Sequence, residues 1–158
     1  GYHSFEPQIV TRCTECHGNV TFDTLTPPLF ALQHDWDNNP ATKSKAEVAA
    51  FADRLYAAIK AYCAAAADSG SPPSGASYVA YNGAAYPYWF KDTNKNGVVD
   101  ANETTAMKFD SKALRAAFNY QYFQKEPGAW AHNNAYIVQV LYDSLEDMRG
   151  DLSNLRRP

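Results

Sequence analysis

Five consecutive residues, Cys13-Thr14-Glu15-Cys16-His17, constrain this chain more than any other feature. Two thiols at this spacing can add across the two vinyl groups of one porphyrin, and the next imidazole is then held under the iron as its proximal ligand. The string therefore reads as a c-type haem attachment site, with one haem c held by Cys13, Cys16 and His17. A redox Cys-x-x-Cys would sit near a βαβ pattern, which the sequence lacks. A zinc site would want a second Cys or His pair at comparable spacing, and there is none. Covalent haem attachment takes place outside the cytoplasm, so an exported bacterial protein is expected, periplasmic or at the outer cell surface. The chain opens at Gly1 and not Met, which reads as a mature or excised piece whose export signal would not be visible.

The 158 residues fit one domain. With 14 Lys and Arg against 17 Asp and Glu, the net charge of −3 argues against a nucleic-acid partner, which would require a basic patch. No apolar run approaches the roughly 18 residues of a membrane span. Aromatic residues make up 14 % of the chain, a weak hint of a large flat ligand. Residues 1–67 form the haem-attachment half, 68–77 a loop, and 78–158 the remainder of a single haem domain. Each half alone would have too thin a core.

The expected fold is mainly α, with long irregular loops, room for one small β-hairpin, and the covalent haem packed between helices. Thr26 caps a short helix reaching about residue 34, closed by the turn Asp37-Asn38-Asn39-Pro40. Ser44-Lys45-Ala46-Glu47 has capping-box spacing and opens a helix over about 45–67, whose apolar stripe runs through Val48, Phe51, Leu55, Ile59 and Tyr62. Cys63 shares that face and reads as a small buried hydrophobe. Asn82-Gly83 is a hairpin-turn dipeptide within an aromatic stretch. Two helices follow. One, over about 111–124, carries Leu114, Ala117, Phe118 and Tyr122 on one face; the other, over about 134–148, carries Ile137, Leu141, Ser144, Leu145 and Met148, with Gly150 as its stop.

Asp92-Thr93-Asn94-Lys95-Asn96-Gly97-Val98-Val99-Asp100-Ala101-Asn102-Glu103 matches a twelve-residue EF-hand loop at each diagnostic position. Asp92, Asn94, Asn96, Asp100 and Glu103 would offer side-chain oxygens to one Ca2+, Val98 its carbonyl, and Gly97 the sharp turn. The flanks do not look like long helices, so an isolated structural site is expected rather than a sensor that opens on binding. Its affinity should lie on the order of 10⁻⁵ to 10⁻³ M.

The second axial position decides what the haem does. His3, His34, His132, Met107 and Met148 are the candidates. Met148 reads as core. His34 lies at i+4 from Phe30 and could cover the porphyrin. His132 directly precedes a helix, at the tip of an element.

The stretches from Leu114 to Gln121, from Glu126 to Asn133 and from Leu141 to Asp147 resemble the C-terminal region of large multihaem c-type cytochromes of metal-reducing, extracellularly respiring bacteria. The likeness covers most of residues 78–148, together with the generic haem motif. In such cytochromes a His-Asn pair opening a helix commonly supplies a distal ligand. The resemblance thus implies His132 as second ligand, with His34 as the alternative. One departure is plain: those relatives carry many haem motifs and this chain carries one, as an excised domain or a small relative would.

One-electron transfer, not enzyme catalysis, is the function expected. Two imidazoles leave no open iron position, and partners would be redox cytochromes or other haems of a larger assembly. Two other readings stand beside it: a calcium-stabilised structural or assembly domain, and a five-coordinate haem peroxidase or gas sensor, which would need a positioned distal base. Oligomeric state is not specified by the sequence.

Overall fold

The computed structural model describes residues 35–42 and 44–158. The haem motif and the expected helix over residues 26–34 lie outside them. Among the described residues there are four helices and one small sheet: α1 (Ser44–Ala67), β1 (Val79–Tyr81), β2 (Trp89–Lys91), α2 (Ser111–Lys125), α3 (Ala129–His132) and α4 (Asn134–Asp147). The described part is mainly helical with one two-stranded hairpin, as its patterning implies. No helix among the described residues is long and apolar enough to cross a membrane.

α1 forms because its apolar residues recur every three or four positions on an alanine-rich background of high helix propensity. Val48, Phe51, Leu55 and Ile59 are fully buried, each contributing about 1.5–3 kcal/mol on removal from water. They face both α2 and α4, which also pack on each other. From α4 come Ile137, Val138, Leu141 and Leu145. Met148 and Cys63 are buried in the same core, as expected of both.

The buried side of α2 differs from the expected one. Leu114, Phe118 and Tyr122 share a face, but they are 57 %, 68 % and 43 % exposed. The buried positions are Ala113, Ala116, Ala117 and Tyr120. Small residues let α2 approach two helices closely, and the larger side chains lie on the opposite side. Asp110 caps this helix, its carboxylate accepting from the Ala113 N–H at 2.8 Å.

A second correction concerns the start of α1. The capping box does not form: the Glu47 carboxylate accepts the N–H groups of Trp36 and Asp37. The Ser44 hydroxyl has no hydrogen-bond partner among the described residues. A third concerns the end of α4. Arg149, not Gly150, takes the left-handed conformation, with φ 56°. The Arg149 N–H donates to the Glu146 carbonyl and the Gly150 N–H to the Leu145 carbonyl, both at 2.9 Å, closing a Schellman motif.

β1 and β2 pair antiparallel, with Ala80 opposite Phe90. Asn82-Gly83 begins the longer connection 82–88 and does not form a two-residue turn: the Asn82 N–H donates to the Tyr88 carbonyl at 2.7 Å. The hairpin delivers Tyr81 and Trp89 to Tyr56 of α1 and Tyr120 of α2, with ring centroids 4.8–6.0 Å apart. Part of the aromatic surplus is therefore the joint between hairpin and helices.

Candidate functional site

The loop 92–103 hangs from the end of β2. Its neck is closed by the Lys91 N–H donating to the Thr105 carbonyl and the Met107 N–H to the Trp89 carbonyl, both at 2.9 Å, with Phe90 bridged to Ala106. A strand enters it and no helix leaves it before Ser111. These are the short flanks that the sequence suggests.

Within the loop the acidic side chains turn inward. Asp92 and Glu103 are each only 4 % exposed. Asp92 accepts the N–H groups of Asn96 (3.2 Å) and Gly97 (2.8 Å). Asn94 Oδ1 accepts the Asn96 N–H at 3.1 Å, and Asn96 Oδ1 accepts the Val98 N–H at 2.8 Å. Glu103 reaches back across the loop to the Thr93 N–H and hydroxyl with one oxygen and to the Asp100 N–H with the other. Those donors, the Thr93 hydroxyl first, hold its carboxyl below the usual range. The side-chain amides of Asn94 and Asn96 donate to Asp100 Oδ2 at 2.7 and 2.8 Å, so three of the five donor side chains already meet.

Gly97 has φ 80°, a backbone state that a side chain would strain. The Val98 side chain is 60 % exposed, leaving its carbonyl as the group it would contribute. Hard oxygen donors at these positions fit a calcium ion.

A second acidic group stands at the entry to α1. One oxygen from each of Asp35, Asp37 and Glu47 lies within 4.8 Å of the others. Burial, opposed by the Trp36 N–H and reinforced by the Asp37 carboxylate, pushes the Glu47 carboxyl up to about 7. From the sequence, Asp37 belongs to the turn 37–40 and Glu47 to the capping-box spacing, and Asp35 has no role. The signal for the group is the Asp-x-Asp-x-Asn spacing of residues 35–39, parallel to the Asp-x-Asn-x-Asn of 92–96.

The haem-attachment residues Cys13, Cys16 and His17, and the alternative ligand His34, lie outside the described residues. His132 closes the single turn α3, and Asn133, with φ −164° and ψ 60°, separates it from α4. Ala129 and Trp130 before this break and Ile137 after it are buried, so the backbone at 132 is fixed between two anchored elements. Two thiols followed by an imidazole suit haem c as a donor set.

No protein-family model matches the chain, and no solved structure matches it. It is 31 % identical over 74 residues to the C-type polyheme cytochrome OmcC of Geobacter sulfurreducens, a match covering 39 % of this chain and 10 % of that protein. It is 30 % identical, over the same lengths, to the C-type polyheme cytochrome OmcB of that species. The chain thus spans about a tenth of the length of the curated relatives it matches. Part of it is similar to polyhaem c-type cytochromes.

Proposed function

We propose that this chain is a one-electron carrier: an exported c-type cytochrome, or a domain of one, that passes electrons to other haems of a larger assembly. The observation that carries this reading is the string Cys13-Thr14-Glu15-Cys16-His17, supported by the similarity of part of the chain to polyhaem cytochromes. Cys13 and Cys16 hold one haem c covalently, His17 is its proximal ligand, and His132 caps the far side, with His34 as the alternative. With both axial positions taken by imidazole, the bound haem supplies a one-electron couple and no open site. Its potential lies below that of a His/Met centre, because a Met ligand raises it.

The whole chain acts as one haem domain in this reading. Residues 1–67 carry the attachment site, and the 92–103 loop is a structural calcium site in 78–158. Asp92, Asn94, Asn96, Asp100, Glu103 and the Val98 carbonyl hold the ion, which replaces the internal hydrogen bonds of Asp100 and pins the loop below β2.

Absorption spectra test the ligation. The unmodified protein is expected to be low-spin and, when reduced, not to bind carbon monoxide. His132→Ala should open the iron and bind it, while His34→Ala should not. The reverse pattern would move the distal ligand to His34. Carbon monoxide binding by the unmodified protein would contradict electron transfer through a six-coordinate centre.

A further inference from the structure

Three carboxylates converge where the chain enters α1, those of Asp35, Asp37 and Glu47. We propose that they, with the Ser44 hydroxyl, bind a calcium ion there, at a site independent of both the haem and the 92–103 loop. Carboxylates gathered within 4.8 Å repel one another, and Glu47 is only 1 % exposed, where water screens little. The N–H groups of Trp36 and Asp37 reach one oxygen of Glu47 and offset part of that charge.

Ser44 is the independent observation. It is 2 % exposed, and its Oγ meets no hydrogen-bond partner among the described residues. It stands three residues before Glu47, so the two side chains share one face of α1. Helical side chains lean toward the N-terminus, the end at which Trp36 and Asp37 contact Glu47. A buried hydroxyl normally has a partner. Here a cation held by the adjacent carboxylates supplies it.

The dimensions suit this ion. Oxygens bound to one calcium at 2.3–2.6 Å lie no more than about 5 Å apart. An all-oxygen set drawn from a turn and a helix start selects a hard cation, and its irregularity favours calcium over the octahedron that magnesium demands. The turn also repeats the start of the 92–103 loop. Asn39 N–H donates to Asp35 (2.7 Å) and Asp37 (2.9 Å) as Asn96 N–H does to Asp92 and Asn94. Asn38 and Lys95, at the same place in each, have φ 57° and 64°. Pro40 stands where the other loop has Gly97. The same turn is tied to the C-terminal tail through Arg156 N–H to the Trp36 carbonyl (2.7 Å) and the Asn38 amide to the Asn154 carbonyl (2.9 Å). An ion here would fasten the haem-bearing segment to the helical core just where it enters.

Equilibrium dialysis of calcium against the full chain tests this. Asp35→Asn with Asp37→Asn should lower the bound calcium by one ion per chain. Asp92→Asn with Glu103→Gln should leave one ion bound, and combining all four changes should abolish it. An unchanged stoichiometry in the Asp35/Asp37 variant, or no ion retained in the Asp92/Glu103 variant, overturns the proposal. If the Asp92/Glu103 variant binds as much as the unmodified chain, the 92–103 reading fails and this one stands. In the unmodified protein, saturating calcium should shift the backbone amide resonances of Trp36 and Asn39; amides that do not move refute the site whatever the variants do.

Discussion

At Gly150 an added methyl group would lie 2.2 Å from Leu145 Cδ1 and 3.0 Å from Ala58 Cβ. Gly150→Ala should therefore cost about 1–3 kcal/mol through overpacking, read as a lower urea midpoint. An unchanged midpoint would mean that Leu145 yields freely. Its neighbour predicts the opposite sign: Arg149 holds φ 56°, so Arg149→Gly should raise stability by about 1 kcal/mol. The glycine is legible in the sequence as a helix stop, but its physical reason is close approach to α1, and only the tertiary contact reveals that. Cys63 shows the converse. Its place on the apolar stripe suffices to predict burial, and it is 3 % exposed with its thiol pushed up to about 12 by that burial. Native protein should leave it unreactive toward thiol reagents at pH 8. Unfolded protein should then expose one thiol, since Cys13 and Cys16 are held as thioethers in this account; three would contradict it.

Among the elements, α2 is held at its start by a side-chain cap. Asp110 accepts the Ala113 N–H and the Tyr62 hydroxyl, the latter at 2.7 Å. Asp110→Ala should cost about 1 kcal/mol. The Tyr62 bond holds this carboxyl below its ordinary 3.8, so the stabilisation is complete above that pH and is lost as pH falls through the lower folded value. The difference in urea midpoint between the two proteins should be constant near neutrality and close only below about pH 3.8. For the 92–103 loop, 1 mM calcium should stabilise the chain by about 0.4–2.7 kcal/mol over the expected affinity range. Glu103→Gln should reduce the calcium-dependent gain in a thermal melt by that amount, leaving only what the entry-turn site contributes. Helices were legible where apolar residues recur at helical spacing, and the loop where donors fall at fixed intervals. The buried side of α2 was not, because its alanines carry no hydrophobic signal stronger than the exposed Leu114 and Phe118. The role of Glu47 was not legible either, because capping-box spacing says nothing of a competing pair of N–H groups brought from residues 36 and 37.

For the whole molecule, the helical core formed by α1, α2 and α4 is a platform to which the hairpin, the 92–103 loop and the entry turn at residue 35 are fastened separately. The proposed ions sit at two of these fastenings, the 92–103 loop and the entry turn. The proposed redox function rests on five residues of sequence, whereas the proposed distal ligand has no such motif: a lone histidine has no spacing partner, and only family resemblance raises His132 above His34. Electron transfer rests on the haem being covalently attached, and the most direct measurement is the intact mass of the denatured chain after export from a bacterium with cytochrome-maturation machinery. The account predicts the polypeptide mass plus that of one haem, with the increment lost in Cys13→Ala combined with Cys16→Ala. A colourless product at the bare polypeptide mass would contradict it.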